Sequence, residues 1–150
     1  MGYTTEQITS GVRQFTEKVY NTGPASSISA NLMLEQDAAN VNMGGNWRMP
    51  TNAEYQELLN NCDGMWTDDY NETGVAGRVF TSRVNGNSVF FPTAGYSGNS
   101  SVGQIDSHGY YWASSWYSYY NAWILFFHSG NQSVRYTERY SGQSVRGVCE

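Results

Sequence analysis

SHGYYWASSWYSYYNAWILFFHSGNQSVRYTERYSGQS, residues 107–144, is the stretch of this sequence that decides its fold. It holds seven of the twelve tyrosines in the chain, and it contains no Asp, Glu, Lys or Arg from Ser107 to Val134. Tyr and Trp provide large, rigid contact areas, while Ser, Gly and Asn provide adaptable hydrogen bonds, a mixture that antibody combining loops use. The same aromatic residues also favour β-strands. The composition therefore leaves two interpretations open, a recognition surface and an aromatic β-core.

Residues 121–129 alternate between two sets of side chains, as expected of a strand with one set on each face. The sets are Trp123, Leu125 and Phe127, and Ile124, Phe126 and His128. If the first set fills the core, the second either lies beneath another layer or belongs to an exposed apolar patch that marks a binding site. The tyrosines that immediately precede this strand favour the exposed patch.

Helical spacing is found in the N-terminal half of the chain. Within residues 4–20, apolar residues recur at a spacing that places them on one helical face: Ile8, Val12, Phe15 and Val19. Residues 21–27, NTGPASS, have the composition of a loop. A weaker pattern predicts a second helix over about residues 34–42, ended by Gly44-Gly45. We therefore expect residues 1–30 to form a helix and linker that lead into the domain.

The clearest local signal lies at residues 51–54, TNAE. Thr51 followed by Glu54 is a capping box, and an apolar stripe of Tyr55, Leu58 and Leu59 comes after it. This pattern predicts a helix over about residues 52–61.

After this helix the pattern changes to strands. Residues 78–91, RVFTSRVNGNSVFF, predict a hairpin in which Asn85-Gly86 is the dipeptide that best suits a type I′ turn. Further short strands are predicted in QSVRYTERY and QSVRGVC, residues 132–140 and 143–149.

The order of these elements indicates the fold class. Helices followed by an antiparallel sheet are typical of an α+β domain, and the irregular stretches at 95–107 and 114–121 would be its long loops. A chain of 150 residues is also of a size for one core. We therefore expect a single α+β domain over residues 1–150.

The charge balance excludes some partners. The formal net charge is −5, and only 14% of the residues are charged, so a nucleic-acid-binding surface is not expected. No apolar run approaches the roughly 18 residues that a membrane-spanning helix needs, so membrane insertion is not expected either. A surface solubilised by hydroxyls, amides and glycines suits an extracellular or particle-surface protein.

The sequence carries few candidates for catalysis or metal binding. His108 and His128 lack zinc-ligand spacing, and the acidic loop 68–72 lacks the EF-hand spacing for calcium, so no metal or cofactor is expected. Asp106 and Glu138 flank the aromatic stretch, but nothing in the sequence brings these carboxylates together as glycoside hydrolysis requires. A binding protein is therefore favoured over an enzyme, with a hydrolase using Asp106, His108 or Glu138 as the alternative.

Cys62 and Cys149 are the only cysteines. One disulfide between them would close a long loop, and two buried free thiols are the favoured alternative. Neither cysteine lies in a metal-binding or C-x-x-C redox spacing.

Several motifs together resemble one known family. They are Asp37-Ala38-Ala39, GGNWRMPT at 44–51 followed by Glu54, FFPTAGY at 90–96, GYYWASS at 109–115 and SVRGV at 144–148. Over about residues 33–150 the chain resembles the C-type-lectin-like domains of bacterial surface proteins and phage tail adhesins. More narrowly, it is similar to the variable proteins of diversity-generating retroelements in gut bacteria and their phages. This resemblance implies a C-type-lectin-like α+β fold, with N-terminal helices followed by a twisted antiparallel sheet with long irregular loops.

In that family an error-prone reverse transcriptase randomises adenines, so that asparagine codons come to encode Tyr, Ser, Thr, Ile, Phe, His or Arg, but not Trp, Gln or Glu. The resemblance therefore implies a set of variable, ligand-binding residues: Tyr117, Tyr119, Tyr120, Ile124, Phe126, His128, Arg135, Tyr136, Thr137, Tyr140 and Ser141. It also implies a fixed framework of Trp112, Trp116, Trp123, Leu125, Phe127 and Gln143.

The resemblance also implies a function. The chain would be a non-enzymatic receptor-binding domain with a hypervariable aromatic face, on a virion tail as the tip of a tail fibre, or on a cell surface as an adhesin. Its expected partner is a host-cell surface protein or glycan, and homo-oligomerisation on the particle is left open. The motifs of calcium-dependent sugar-binding lectins and the catalytic cysteine pair of formylglycine-generating enzymes are absent. The alternatives are a lectin-fold hydrolase and an assembly module that buries Ile124 and Phe126 between protomers.

Overall fold

A computed structural model describes residues 31–98 and 101–149 of the chain. Its elements in chain order are the 3₁₀ turn Leu34–Gln36, helix α1 (Ala38–Met43), strand β1 (Trp47–Arg48), helix α2 (Asn52–Asn61), β2 (Cys62–Thr67), the 3₁₀ turn Tyr70–Glu72, β3 (Gly77–Ser82), β4 (Ser88–Pro92), β5 (Tyr96–Gly98), β6 (Ser101–Gly103), β7 (His108–Trp116), β8 (Asn121–His128), β9 (Asn131–Glu138) and β10 (Val148–Cys149). None of these helices is long and apolar enough to cross a membrane. The helix and linker predicted for residues 1–30 lie outside the described residues.

The expected α+β, C-type-lectin-like fold is wrong. Among the described residues 47% lie in strands and 19% in helices, and the strands form four small antiparallel sheets with the orders β1-β10, β2-β3-β4, β5-β6 and β7-β8-β9. Sequence patterns do not reveal several of these strands, because β2 follows α2 without a linker and β5 and β6 have three residues each. Strands of that length are too short for an alternation to be recognised. The described part of the chain is therefore mostly β-structure.

Helix α2 begins and ends as predicted. The Thr51 hydroxyl accepts a hydrogen bond from the Glu54 N–H (3.2 Å), and the Glu54 carboxylate accepts one from the Thr51 N–H (2.7 Å). Two guanidinium nitrogens of Arg48 also donate to this carboxylate, each at 2.7 Å. The hydrogen bond from Arg48 is the largest cause that lowers the pKa of Glu54, which falls to about 2. These bonds tie β1 to the first turn of α2.

We expect Glu54→Gln to lower the free energy of unfolding at neutral pH by about 1–2 kcal/mol, because it removes a bidentate pair whose strength solvent screening already reduces. Since the folded-state pKa is depressed, this stabilisation is present above the ordinary pKa of 4.5 and is lost as the pH falls towards 2. Urea unfolding of both proteins over this pH range measures the difference. A variant with the same acid sensitivity as the wild type would disprove the assignment.

The helix predicted over residues 34–42 is interrupted at Asp37. Helix α1 begins after it, because the Asp37 carboxylate is the N-cap and accepts hydrogen bonds from the N–H groups of Ala39 (2.8 Å) and Asn40 (3.1 Å). Its second oxygen accepts the Met49 N–H at 2.8 Å, which joins α1 to the segment that precedes α2. A short acidic side chain that bonds the backbone in this way competes with a continuous helix.

The hairpin of β3 and β4 is confirmed, but its turn is not the predicted one. A type I′ turn at Asn85-Gly86 would need positive φ at both residues. Gly86 has φ 73°, whereas Asn85 does not have positive φ. The strands are joined by a wider loop, in which the Gly86 N–H donates to the Ser82 carbonyl at 3.0 Å.

The sheet β7-β8-β9 packs one face against α2 and against the sheet β2-β3-β4. The buried cluster between them comprises Tyr55, Phe80, Phe91, Tyr111, Ala113, Leu125 and Phe127. Leu125 and Phe127 are 0% exposed, which confirms their assignment to the core. Trp123 is only partly buried, at the margin of the cluster. The core side of β8 is therefore the side that the alternation predicts.

The two cysteines differ in their surroundings. Cys62 is a free, partly buried thiol that packs against the core, whereas Cys149 is exposed. The expectation of two buried thiols is therefore wrong for Cys149, which lies in a two-residue strand paired with the equally short β1.

Candidate functional site

The outward face of the sheet β7-β8-β9, which points away from the core, is not an open apolar patch. Ile124 is 0% exposed and Phe126 is 6% exposed, so the exposure expected of these two candidate binding residues is wrong. Of the two alternatives that the alternation of β8 left open, the covering layer is the one found.

The covering layer is the segment that follows β9, residues 139–144, here called the crossing segment. At its start the Arg139 N–H donates to the Tyr120 carbonyl at 2.9 Å, and at its end the Ser144 N–H donates to the Tyr110 carbonyl of β7 at 2.9 Å. Because β9 and β7 are the two outer strands of the sheet, the segment crosses the outward face to connect them. The segment thereby lies beside Tyr110 and Arg135, with which it lines one cleft.

Phe126 lies in a cluster of rings with one cation, here called the Phe126 cluster. The guanidinium carbon of Arg135 is 3.3 Å from the centroid of the Phe126 ring, and the Tyr110 ring centroid is 5.1 Å from it. The rings of His108 and His128 lie 5.7 Å from Phe126 and 5.2 Å from each other. Burial lowers the pKa of His108, and the nearby His128 and Arg135 lower it further. The cluster is therefore a partly buried site that already carries one positive charge.

An open cleft of about 510 Å³ lies beside the Phe126 cluster. Three parts of the chain line it: Tyr96, Gly98 and Ser101 from the hairpin β5–β6, Gln104 and Tyr110 from β7 and the residues before it, and Arg135, Thr137, Glu138, Tyr140, Ser141 and Gln143 from β9 and the crossing segment. None of these lining residues is aliphatic. Two backbone hydrogen bonds between Ser97 and Gly142, at 2.7 and 2.6 Å, hold the hairpin against the crossing segment.

The cleft combines aromatic surface with polar groups. The rings of Tyr96 and Tyr110 contact edge to face at 5.4 Å, and the Tyr110 hydroxyl donates to the Gln104 side-chain oxygen. Burial raises the pKa of Tyr110, so its hydroxyl stays protonated and able to donate. At the other end of the cleft the Thr137 hydroxyl donates to the Glu138 carboxylate at 3.0 Å.

One polar atom of the cleft has no partner in the described part of the protein, and one cation there has no carboxylate partner. The Oε1 atom of Gln143 is buried and has no hydrogen-bond partner there, although buried acceptors nearly always have one. Arg135 forms no ion pair with any carboxylate of residues 31–98 or 101–149. The exposed cation Arg135 is therefore available to an anionic ligand.

The structure divides the predicted variable residues into three groups. Those that line the cleft are Arg135, Thr137, Tyr140 and Ser141. Those beneath or beside the covering layer are Ile124, Phe126 and His128. The remaining ones, away from the cleft, are Tyr117, Tyr119, Tyr120 and Tyr136.

These remaining tyrosines form a second aromatic group near one end of the sheet. The rings of Tyr117 and Tyr136 stack at 3.8 Å, and Trp123 contacts Tyr117 edge to face at 5.0 Å. Tyr119 and Tyr120 are 50% and 72% exposed in the loop between β7 and β8. Tyr136 is paired with Trp123, which packs against the core, so Tyr136 and Tyr117 lie on the side of the sheet opposite to Arg135.

Sequence reasoning missed most of the cleft outside β9. Gln143 was assigned to the framework, and Glu138 was considered only for a hydrolase. Tyr96 ends the FFPTAGY motif, which is the one signal that could have pointed to it. Tyr110 lies in the tyrosine-rich stretch that could form a recognition surface, but no local pattern brings Gln104 to the cleft beside it.

The hydrolase alternative finds little support in the strand register. His108 pairs with His128, and Glu138 pairs with Asn121. These rows are separated along β8 by roughly 23 Å at the usual rise of a strand. Asp106 lies in the turn directly before His108, at the same end of the sheet, whereas paired catalytic carboxylates need a separation of about 10 Å or less. Among the described residues no group of three or more His, Cys, Asp or Glu could hold a metal ion.

Comparison with known proteins gives one family. The family model described as "Domain of unknown function (DUF8237)" matches residues 63–148. No curated protein and no solved structure matches the chain. The matched residues run from β2 to β10 and include every residue that lines the cleft.

Proposed function

We propose a function on the premise that this chain belongs to the DUF8237 family, whose description names no activity. The chain is a non-enzymatic ligand-binding domain, and its binding site is the cleft between the hairpin β5–β6, strand β7 and the crossing segment. The bound ligand is a group on a host-cell surface, and the domain is displayed on a virion tail or on a cell surface.

One observation carries this proposal. Three tyrosines from three separate parts of the chain, Tyr96, Tyr110 and Tyr140, converge on one cleft together with Arg135. Tyr and Arg are enriched at the energetically important positions of binding interfaces. The cleft volume, about 510 Å³, also lies within the range of small-ligand pockets.

The sequence resemblance supports the same site. Four residues implied to vary line the cleft, namely Arg135, Thr137, Tyr140 and Ser141. We propose that a retroelement diversifies these codons, so that related chains present different side chains in the same cleft. A reverse-transcriptase gene and an adenine-rich template repeat beside the gene would be the direct test. Display of many copies on one particle would raise a weak single-site affinity by about 10² to 10⁴.

The assembly module is the less supported alternative. It requires Ile124 and Phe126 to be exposed on the isolated protomer and buried between protomers, but they are 0% and 6% exposed within one chain. The cleft, by contrast, is open and keeps an unpaired acceptor, Gln143 Oε1, among the described residues.

We expect Tyr140→Ala to weaken binding by about 30-fold, because an aromatic anchor contributes about 2 kcal/mol or more. The wild-type domain is displayed multivalently on streptavidin and applied to arrays of defined glycans and defined peptides. The matched control is Met65→Ala, which truncates another large exposed side chain, 70% exposed, on the separate sheet β2-β3-β4.

A further variant distinguishes the two aromatic groups. Tyr136→Ala removes a tyrosine that is 49% exposed but faces away from the cleft. If binding survives Tyr140→Ala and is lost in Tyr136→Ala, the ligand lies on the other side of the sheet and the proposed site is wrong.

A further inference from the structure

We propose that the ligand of the cleft is an acidic saccharide whose carboxylate or sulfate group is bound by Arg135. This inference rests on the proposed function and names the chemical class of its ligand. It is carried by the placement of Arg135 and the polarity of the lining.

Arg135 is held in place mainly by ring contacts, together with one hydrogen bond to the Tyr110 side chain. Its guanidinium lies 3.3 Å from the centroid of the Phe126 ring and 5.6 Å from that of Tyr110. Stacking of a planar guanidinium on aromatic rings does not use the N–H groups at its edge, so those that are not bonded to Tyr110 can donate to a ligand. Those groups form a fork that matches the two oxygens of a carboxylate or sulfate. Phe126, buried beneath it, therefore acts as a platform that orients the cation.

The charges around Arg135 favour an anion at this end of the cleft. Among the lining residues the only carboxylate is Glu138, and it already accepts the Thr137 hydroxyl. Glu138 lies three residues farther along β9, which is about 10 Å at the rise of a strand. On the other side of Arg135, His108 and His128 are neutral or cationic but never anionic. An anionic group is therefore attracted by Arg135 and is repelled only by Glu138, at the far end of the cleft.

The lining fits a saccharide better than a peptide. Peptide side chains and drug-like ligands are bound by pockets lined mainly with hydrophobic residues, but the lining of this cleft has no aliphatic residue. It has tyrosine rings, which offer flat surfaces to the C–H faces of a sugar, and the amide and hydroxyl groups of Gln104, Thr137, Ser141 and Gln143. A saccharide carries closely spaced hydroxyl groups, each of which can donate and accept hydrogen bonds. These hydroxyl groups can pair with the amide and hydroxyl groups of the lining.

Gln143 also lines the cleft. Its Oε1 is buried and lacks a partner among the described residues, and an unsatisfied buried acceptor is unfavourable. This oxygen would reach a ligand only if the side chain rotated towards the cleft, where it could accept from a hydroxyl but not from a carboxylate, which has no proton to donate near neutral pH. We therefore expect the ligand to present an anion, for Arg135, and hydroxyl groups, for the polar lining.

The test uses an array that pairs each acidic glycan with its neutral counterpart: sialylated with desialylated, uronate with carboxyl-reduced, and sulfated with desulfated. The wild-type domain, displayed multivalently, is expected to bind acidic members at least tenfold more strongly than their neutral counterparts. Arg135→Gln should lose about ten- to hundredfold of the binding to acidic glycans, because it removes charge-assisted hydrogen bonds. Arg135→Lys keeps the charge but not the paired N–H donors, so its affinity for acidic glycans should lie between those of the wild type and Arg135→Gln.

Arg83→Gln is the matched control, because it removes the same charge from an exposed ion pair with Asp63 on another sheet. Thermal unfolding of each variant checks that the fold is kept. If the wild type binds neutral glycans or peptides as well as acidic glycans, and Tyr140→Ala abolishes that binding, the acidic-saccharide inference is wrong but the proposed function stands. If the wild type binds nothing on the glycan and peptide arrays, both are wrong. If Arg83→Gln weakens binding as much as Arg135→Gln, net charge and not Arg135 is responsible, which also overturns the inference.

Discussion

Ile124→Asn is expected to lower the free energy of unfolding by about 4–6 kcal/mol, because it both removes a buried side chain and buries an amide. Ile124 is 0% exposed beneath the crossing segment. Truncating a buried isoleucine costs about 2–5 kcal/mol on its own. The amide adds donors and an acceptor that would have to find partners in an apolar site. Since domains of this size are stable by only about 5–15 kcal/mol, the variant should be largely unfolded at moderate temperature.

Tyr120→Asn is the matched comparison for this prediction. Tyr120 is 72% exposed in the loop that precedes β8, so its replacement should change stability by no more than about 0.5 kcal/mol. Both substitutions place asparagine at a position that the resemblance implies to be variable. Urea unfolding followed by tryptophan fluorescence measures both variants. Equal stability of the two would mean that Ile124 is a surface residue, and the crossing segment would then not cover β8.

Asp37→Ala is expected to destabilise the domain by about 3–5 kcal/mol, because it leaves three backbone N–H groups without an acceptor at a buried site. The Asp37 side chain is 2% exposed. It accepts hydrogen bonds from Ala39, Asn40 and Met49 at 2.8, 3.1 and 2.8 Å. One carboxylate therefore caps α1 and holds it against the segment that leads into α2.

Two further variants define what Asp37 contributes. Asp37→Asn should keep the cap through its remaining oxygen but turn an NH₂ group towards the Met49 N–H, so its loss of stability should be smaller than that of Asp37→Ala. Asp63→Ala is the matched control, since the Asp63 side chain is 67% exposed in an ion pair with Arg83 and should contribute no more than about 1 kcal/mol. Thermal or urea unfolding gives all three values. If Asp37→Ala costs no more than Asp63→Ala, the three-way contact does not stabilise the fold.

Helix α2 and the core side of β8 could be predicted because their signals are local. The capping box of Thr51 and Glu54 needs only residues three apart in sequence. The alternation of Leu125 and Phe127 needs only the pleat of a strand. Arg48 donates to the Glu54 carboxylate from six residues away. The motif GGNWRMPT includes Arg48, but the sequence pattern alone did not predict this contact.

The cleft could be predicted only in part, because its walls come from distant parts of the chain. Arg135 and Tyr140 were implied by the resemblance, but nothing in the sequence brings Tyr96 beside them. That approach depends on the hydrogen bonds between Ser97 and Gly142, which are 45 residues apart. The overall fold class was missed for a related reason, since its short strands are stabilised by partners that their own residues do not identify.

By itself the sequence determined which residues have the chemistry to form a core or a recognition site, and where one helix and the strands of the aromatic stretch lie. These depend on capping, alternation and side-chain type, which act over a few residues. Only the tertiary structure decided which aromatic residues are exposed. Ile124 and Phe126 are buried on the outward face, and Arg135 is stacked on Phe126 at the edge of an open cleft, because the crossing segment runs from β9 to Tyr110 of β7 at the opposite edge of the sheet. Burial depends on what lies above a residue, and no short-range pattern contains that information.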